Sequence, residues 1–129
     1  MRSRVSEARV ARLSSVRADG RPHVVPCCFA LEGDVVFSAV DAKPKSTLAL
    51  HRLENIRAVP DVALLVDHYE EDWSALWWVR VDGTARVIES GNQVRLALER
   101  LREKYDHYAR EPPPGPVIAI ELTAWRAWP

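Results

Sequence analysis

Apolar and polar residues alternate at 10–16, and short apolar, β-favouring runs bounded by turn residues recur downstream, a pattern that predicts strands. Residues 10–16 read as a first strand, preceded by a short stretch of helical character at 7–12. Arg17-Ala-Asp-Gly20 supplies a tight turn into an apolar, β-favouring run at 23–31, and Glu32-Gly33-Asp34 closes a second hairpin onto 35–40. Pro26 has no N–H to give to a ladder, so it places the second run at a sheet edge, at a bulge, or against a ligand. Three strands joined by two glycine-containing turns predict an antiparallel meander. Downstream, Leu48, Leu50, Leu53 and Ile56 share one face of a helix that begins near Thr47 and stops before Pro60. A buried strand follows at 62–66, then a polar, acidic stretch at 67–72, then two strands at 76–81 and 84–88 joined by an Asp82-Gly83 turn. Val94, Leu98, Leu101, Tyr105 and Tyr108 recur every three to four residues and predict one amphipathic helix over 91–109. A proline-rich segment ends it before a last strand at 117–128. About seven strands and two longer helices, without strand–helix–strand alternation, predict a mostly β, antiparallel small barrel, with residues 1–129 as a single domain.

Charge narrows the partners. Acidic and basic residues balance at 18 each, so no global field attracts polyanions, and nucleic acid is not expected as a partner. No apolar run approaches the roughly 20 residues that cross a bilayer. Residues 1–10 also lack the apolar segment of a secretory signal, so no membrane partner and a cytoplasmic location are expected. Cys27 and Cys28 are adjacent, which strains a disulfide and leaves no ligand set for zinc, so both read as small apolar strand residues. His23, His51, His68 and His107 fall at no metal-ligand spacing, and no GxSxG elbow presents a serine. No metal is expected, and no catalytic side chain is assigned.

Two features carry chemistry. The eighteen basic residues are fifteen arginines and three lysines, and two of those lysines, Lys43 and Lys45, stand beside Ser46 and Thr47 in one turn before a helix. Ammonium charges, hydroxyl donors and the free N–H groups of a helix start together suit the phosphate end of a cofactor. The same residues also suit a solvated helix N-terminus, capped by Ser46 or Thr47. Five tryptophans are dense for this length, and Trp77-Trp78 puts one indole on each face of a single strand. One ring fills the barrel; the other meets a second subunit, a flat ligand, or the C-terminal helix.

In their order, Arg12-Leu-Ser-Ser-Val16, Asp19-Gly-Arg-Pro-His23, Val25-Pro26, Gly33-Asp34, the lysine turn, Asn55-Ile56, Val66-Asp-His-Tyr69 and Leu76-Trp-Trp-Val-Arg-Val-Asp-Gly83 resemble the pyridoxamine 5'-phosphate oxidase-like split-barrel superfamily, and within it the F420-dependent branch. The resemblance implies a split, FMN-binding-like β-barrel that forms a homodimer with cofactor sites at the interface. Val25, Pro26 and Cys27 on one strand, with Ser38, Ala39 and Val40 on another, would line the ring of the cofactor. Lys43, Lys45, Ser46 and Thr47 would hold its phosphate, and Trp77 and Trp78 of the other subunit would cover the ring. The implied activity is hydride transfer between reduced F420 and a small unsaturated substrate. FMN is the alternative cofactor, and a flavin or haem carrier without turnover is the alternative function. The anionic tail of F420 calls for further basic residues, for which Arg21, Arg52 and Arg57 are candidates by position.

Overall fold

The computed structural model describes residues 1–40 and 47–129, without the side chains of 47–50. In chain order the elements are α1 (Arg2–Glu7), β1 (Ala11–Val16), β2 (Pro22–Cys27), β3 (Ala30–Glu32), β4 (Val35–Ala39), α2 (Thr47–Ala58), β5 (Asp61–His68), β6 (Trp77–Ile88), α3 (Asn92–Lys104), α4 (Asp106–Arg110) and β7 (Val117–Trp128). The strands form one sheet in the order β2-β1-β5-β6-β7-β4-β3, antiparallel at every step. Laid flat, seven strands would hold β2 and β3 roughly 29 Å apart at about 4.8 Å per step. Only Cys28 and Phe29 join those two edges, a reach of at most about 11 Å. The sheet therefore curls until its edges meet, and the predicted antiparallel split β-barrel is the fold.

Alternation fills the barrel. Leu13, Leu64, Val66, Val79, Val81, Ile118 and Ile120 point inward, joined by Leu53 and Ile56 of α2 and by Val5 of α1. β4 and the first half of β7 are buried on both faces, because α3 and α4 cover them from outside through Ala97, Leu101, Tyr105 and Tyr108. The outward faces of β1, β2, β5 and β6 lack such a cover: Val24 on β2 is 60% exposed, and Trp128 at the end of β7 is 50% exposed.

Four local expectations are corrected. The run at 23–31 is two strands, β2 and β3, on opposite edges, so both expected hairpins form, β1–β2 and β3–β4, but they do not join into one three-stranded meander. The break falls at Cys28-Phe29, whose backbone finds side-chain partners: Ser38 Oγ donates to Cys28 O at 2.9 Å, and Phe29 N–H donates to the Tyr105 hydroxyl at 3.1 Å. Asp82-Gly83 is not a hairpin turn; β6 runs through it with a register shift against β7. A glycine is needed there because a Cβ would lie 2.6 Å from Glu121 O, so this glycine serves a close approach of two strands. The single helix at 91–109 is interrupted at Tyr105, which is extended and turns its hydroxyl to the Cys28-Phe29 link. The helical stretch near the N-terminus is Arg2–Glu7, not 7–12, since Ala11 and Leu13 are drawn into the barrel as part of β1.

Candidate cofactor site

Where the two sheet edges meet, a cavity of about 240 Å³ is lined by Val10, Pro26, Cys27, Cys28, Ala39, Arg52 and Tyr108. Pro26 and Cys27 end β2, Cys28 begins the link to β3, Ala39 ends β4, and Arg52 reaches in from α2. Its thiol chemistry is muted: burial pushes Cys27 up to about 11, so that side chain is a neutral, apolar wall at ordinary pH. Arg52 differs in kind. Its Nε is buried and finds no hydrogen-bond partner among the described residues, so the cavity wall carries a cationic donor with its bond unmade. An unmade bond at a buried nitrogen is costly in a free protein and is recovered by a ligand that accepts it.

The expected ring-lining residues divide into two groups. Pro26, Cys27 and Ala39 are together in this wall. Val25 and Val40 pack against the barrel core, and the Ser38 hydroxyl donates to Cys28 O and hydrogen-bonds the Cys27 thiol behind the wall. Lys43, Lys45 and Ser46 lie outside the described residues; Thr47 opens α2. Sequence reasoning missed Val10, Cys28 and Tyr108, and it placed Arg52 along a cofactor tail instead of in the cavity wall.

Trp77 and Trp78 stand elsewhere, in a second cavity of about 520 Å³ with Leu65, Asp67, His68, Tyr69, Leu76, Arg80 and Trp128. Trp77 is the inward ring: it packs on the core, stacks on His68 with centroids 6.1 Å apart, and carries Arg4 of α1 at 4.8 Å. Trp78 sits on the outward face, opposite Asp67 of β5 and Trp128 of β7. Within one chain the tryptophans and the seam cavity are separate sites.

The pyridoxamine 5'-phosphate oxidase family model matches residues 1–129, the whole chain. The protein belongs to that family. The pyridoxamine 5'-phosphate oxidase family includes oxidoreductases, and the solved structures that resemble this member span several ligands. HutZ, the haem storage protein of Vibrio cholerae, superimposes with a TM-score of 0.74 at 16% identity, over 98% of this chain and 89% of that one. Rv2991 of Mycobacterium tuberculosis gives 0.78 at 19% identity, over 98% and 80%. An FAD-binding protein of Mesorhizobium loti gives 0.73 at 21% identity, over 98% and 89%. At these identities the likeness is one of fold. No curated protein matches the chain in sequence.

Proposed function

We propose that this family member binds F420 and passes a hydride between the reduced coenzyme and a small unsaturated substrate, as a cytoplasmic homodimer. The observation that carries the reading is the seam cavity with the unpartnered Arg52 Nε in its wall. Ala39 and Arg52 bracket Lys43 and Lys45 in the chain, so the ring wall and the expected phosphate turn belong to one continuous segment. When bound, the deazaflavin supplies the hydride chemistry; the protein supplies orientation and exclusion of water. Pro26, Cys27 and Ala39 would form the apolar wall, Arg52 would donate to a polar edge, and Lys43, Lys45, Ser46 and Thr47 would hold the phosphate.

Size supports the dimer. A cavity of about 240 Å³ is smaller than the roughly 300–1,000 Å³ of ordinary ligand sites. On this reading one chain gives part of a site and a second chain would complete it. The uncovered face holding Val24, Leu65, Trp78 and Trp128 is the surface available for that contact. F420 is favoured over FMN because Arg52 is open for a further anionic group, whereas Arg21 and Arg57 are bonded to Asp19 and Glu89.

Tryptophan quenching with F420, and separately with FMN, at matched salt and pH tests the reading. Saturable binding of F420 with weaker FMN binding is the expected result. A preference for FMN transfers the site to flavin, and binding of neither overturns it. The larger aromatic cavity, with His68 stacked on Trp77, favours haem carriage as a second reading; a Soret shift on hemin addition that disappears in His68→Ala would select it.

A further inference from the structure

Seven of the fifteen arginines pair with an acid among the described residues. Arg2 pairs with Asp34, Arg12 with Asp67, Arg21 with Asp19, Arg57 with Glu89, Arg80 with Asp82, Arg86 with Glu121, and Arg100 with Glu32 and Glu103. Among those without such a pair, one group is set apart by what it surrounds. Arg17 in the turn between β1 and β2, with His51 and Arg52 on α2, forms no ion pair among the described residues, and all three act on the imidazole of His23.

His23 lies on the inward side of β2, two register steps from Val25 and four from Cys27, and is 8% exposed. Its Nδ1 is buried with no hydrogen-bond partner, as is Arg52 Nε, and Arg52 also acts on Cys27 in the cavity wall. Two unmade bonds at buried nitrogens therefore fall in one neighbourhood, and every charged group acting on the imidazole among the described residues is positive. Asp19, a carboxylate that Arg17 acts on, is already held by Arg21 through its side chain and its backbone N–H. Like charges gathered around a buried polar side chain are unfavourable without an opposite charge, and both orphaned nitrogens are of the type that donates to an oxyanion.

We propose that His23 and Arg52 form an oxyanion-binding site between the inward face of β2 and α2, taking a carboxylate or phosphate arm of the ligand whose body lies in the seam cavity. Only the last clause rests on the cofactor reading; the anion site stands on its own donors. His23 donates through an Nδ1–H, Arg52 through Nε–H, and Arg17 and His51 supply the surrounding field. Burial, Arg17, Arg52 and His51 all hold the His23 imidazole below the ordinary histidine range, so it is neutral in the free protein at pH 7 and takes up its proton together with an anion.

The test is an NMR titration of the His23 imidazole in the full chain with inorganic phosphate and, separately, with glutarate, at constant ionic strength. A saturable shift is expected, tightening from pH 7.5 to 5.5, with the His23 pKa raised by about 1 unit or more at saturation, as an opposite charge in contact would do. Tighter phosphate binding assigns a phosphate arm, and tighter glutarate binding a carboxylate arm. Arg52→Met should abolish saturation, and Arg52→Lys, which keeps the charge but loses Nε–H, should weaken it tenfold or more. Arg57→Gln should leave the response unchanged. A linear, non-saturating response in the wild type, or full affinity in Arg52→Lys, would overturn the site. Absent phosphate binding with F420 quenching intact removes this site alone; intact phosphate binding with no F420 quenching removes the cofactor reading alone.

Discussion

Tyr105→Phe removes a single oxygen, and the structure says what that oxygen holds. The hydroxyl receives the N–H of Phe29 at 3.1 Å and shares its one proton between Arg9 O at 3.0 Å and Phe29 O at 3.1 Å. It thereby ties the end of α3 to the β2–β3 link and to the chain entering β1. The ring keeps its packing in the variant, against Tyr108 at 5.7 Å and beneath the Arg9 guanidinium at 4.7 Å, so the change is one of polar satisfaction. Orphaning the buried Phe29 N–H costs about 1–3 kcal/mol, and losing the donated bond costs a further ~0.5–1.5 kcal/mol. A destabilisation of about 2–4 kcal/mol follows. In urea, with an m-value of about 1–3 kcal/mol/M for a small domain, the midpoint should fall by roughly 1–2 M at unchanged slope. A fall below about 0.5 kcal/mol would show that the link is satisfied by other means and would refute its account as a side-chain-anchored break.

Further outcomes are expected. Gly83→Ala should destabilise by about 1–3 kcal/mol in the same urea assay, because its new methyl would meet Glu121 O and the Ile120 side chain at 2.6 Å; a neutral result would sink the close-approach argument. Burial lowers Lys104 to about 8, so the folded chain binds fewer protons there than the unfolded chain between pH 8 and 10.5, and the residue's contribution to stability rises with pH across that window. The stability of the wild type relative to Lys104→Met should therefore improve from pH 8 to 9.5, and a flat difference would contradict it. Tyr105 is raised by burial to about 12, so the stability it contributes is complete below pH 10 and is lost between pH 10 and 12; Tyr105→Phe should erase that alkaline loss. Lys43→Ala and Lys45→Ala should each weaken F420 binding by about 1.5–3 kcal/mol in the quenching titration without moving the urea midpoint.

What the sequence disclosed follows from the range of the forces involved. β1, β4, β7 and α2 were legible because one face of each is fixed by neighbours two, three or four residues away. The misread elements answer to distant partners. The break after Cys27 depends on Tyr105, 76 residues beyond Phe29, and the continuity of β6 through Gly83 depends on Glu121. Neither partner leaves a local mark on the pattern. The same division runs through the site: Pro26, Cys27 and Ala39 were legible from strand and motif, while Tyr108 reads from sequence as one more apolar position on a single helix. Only the interruption at Tyr105 sets it on a separate helix beside the cavity. Arg52 was legible as a basic residue but not as an unpartnered one, since that depends on where every acid lies.

The seam explains why a barrel of this kind keeps a cavity there at all. Edges brought together by curling would lower their energy by pairing, because each carries a row of unmet N–H and C=O groups. Here the pairing is forestalled at three places. β2 has a proline at each end of its ladder with β1, Pro22 opposite Val16 and Pro26 opposite Arg12, so two of its six residues have no N–H to offer. β3 is only three residues long and is taken up by β4. The link between them is satisfied by Ser38 and Tyr105, which removes the incentive for its backbone to join a ladder. The gap stays open with its link satisfied by side chains and with the Arg52 nitrogen unmet in a wall of mixed polar and apolar groups. The residues that split the barrel are thus the residues that keep the seam cavity open, and on the proposed reading the Arg52 nitrogen, unmet among the described residues, would take the polar edge of a ligand there.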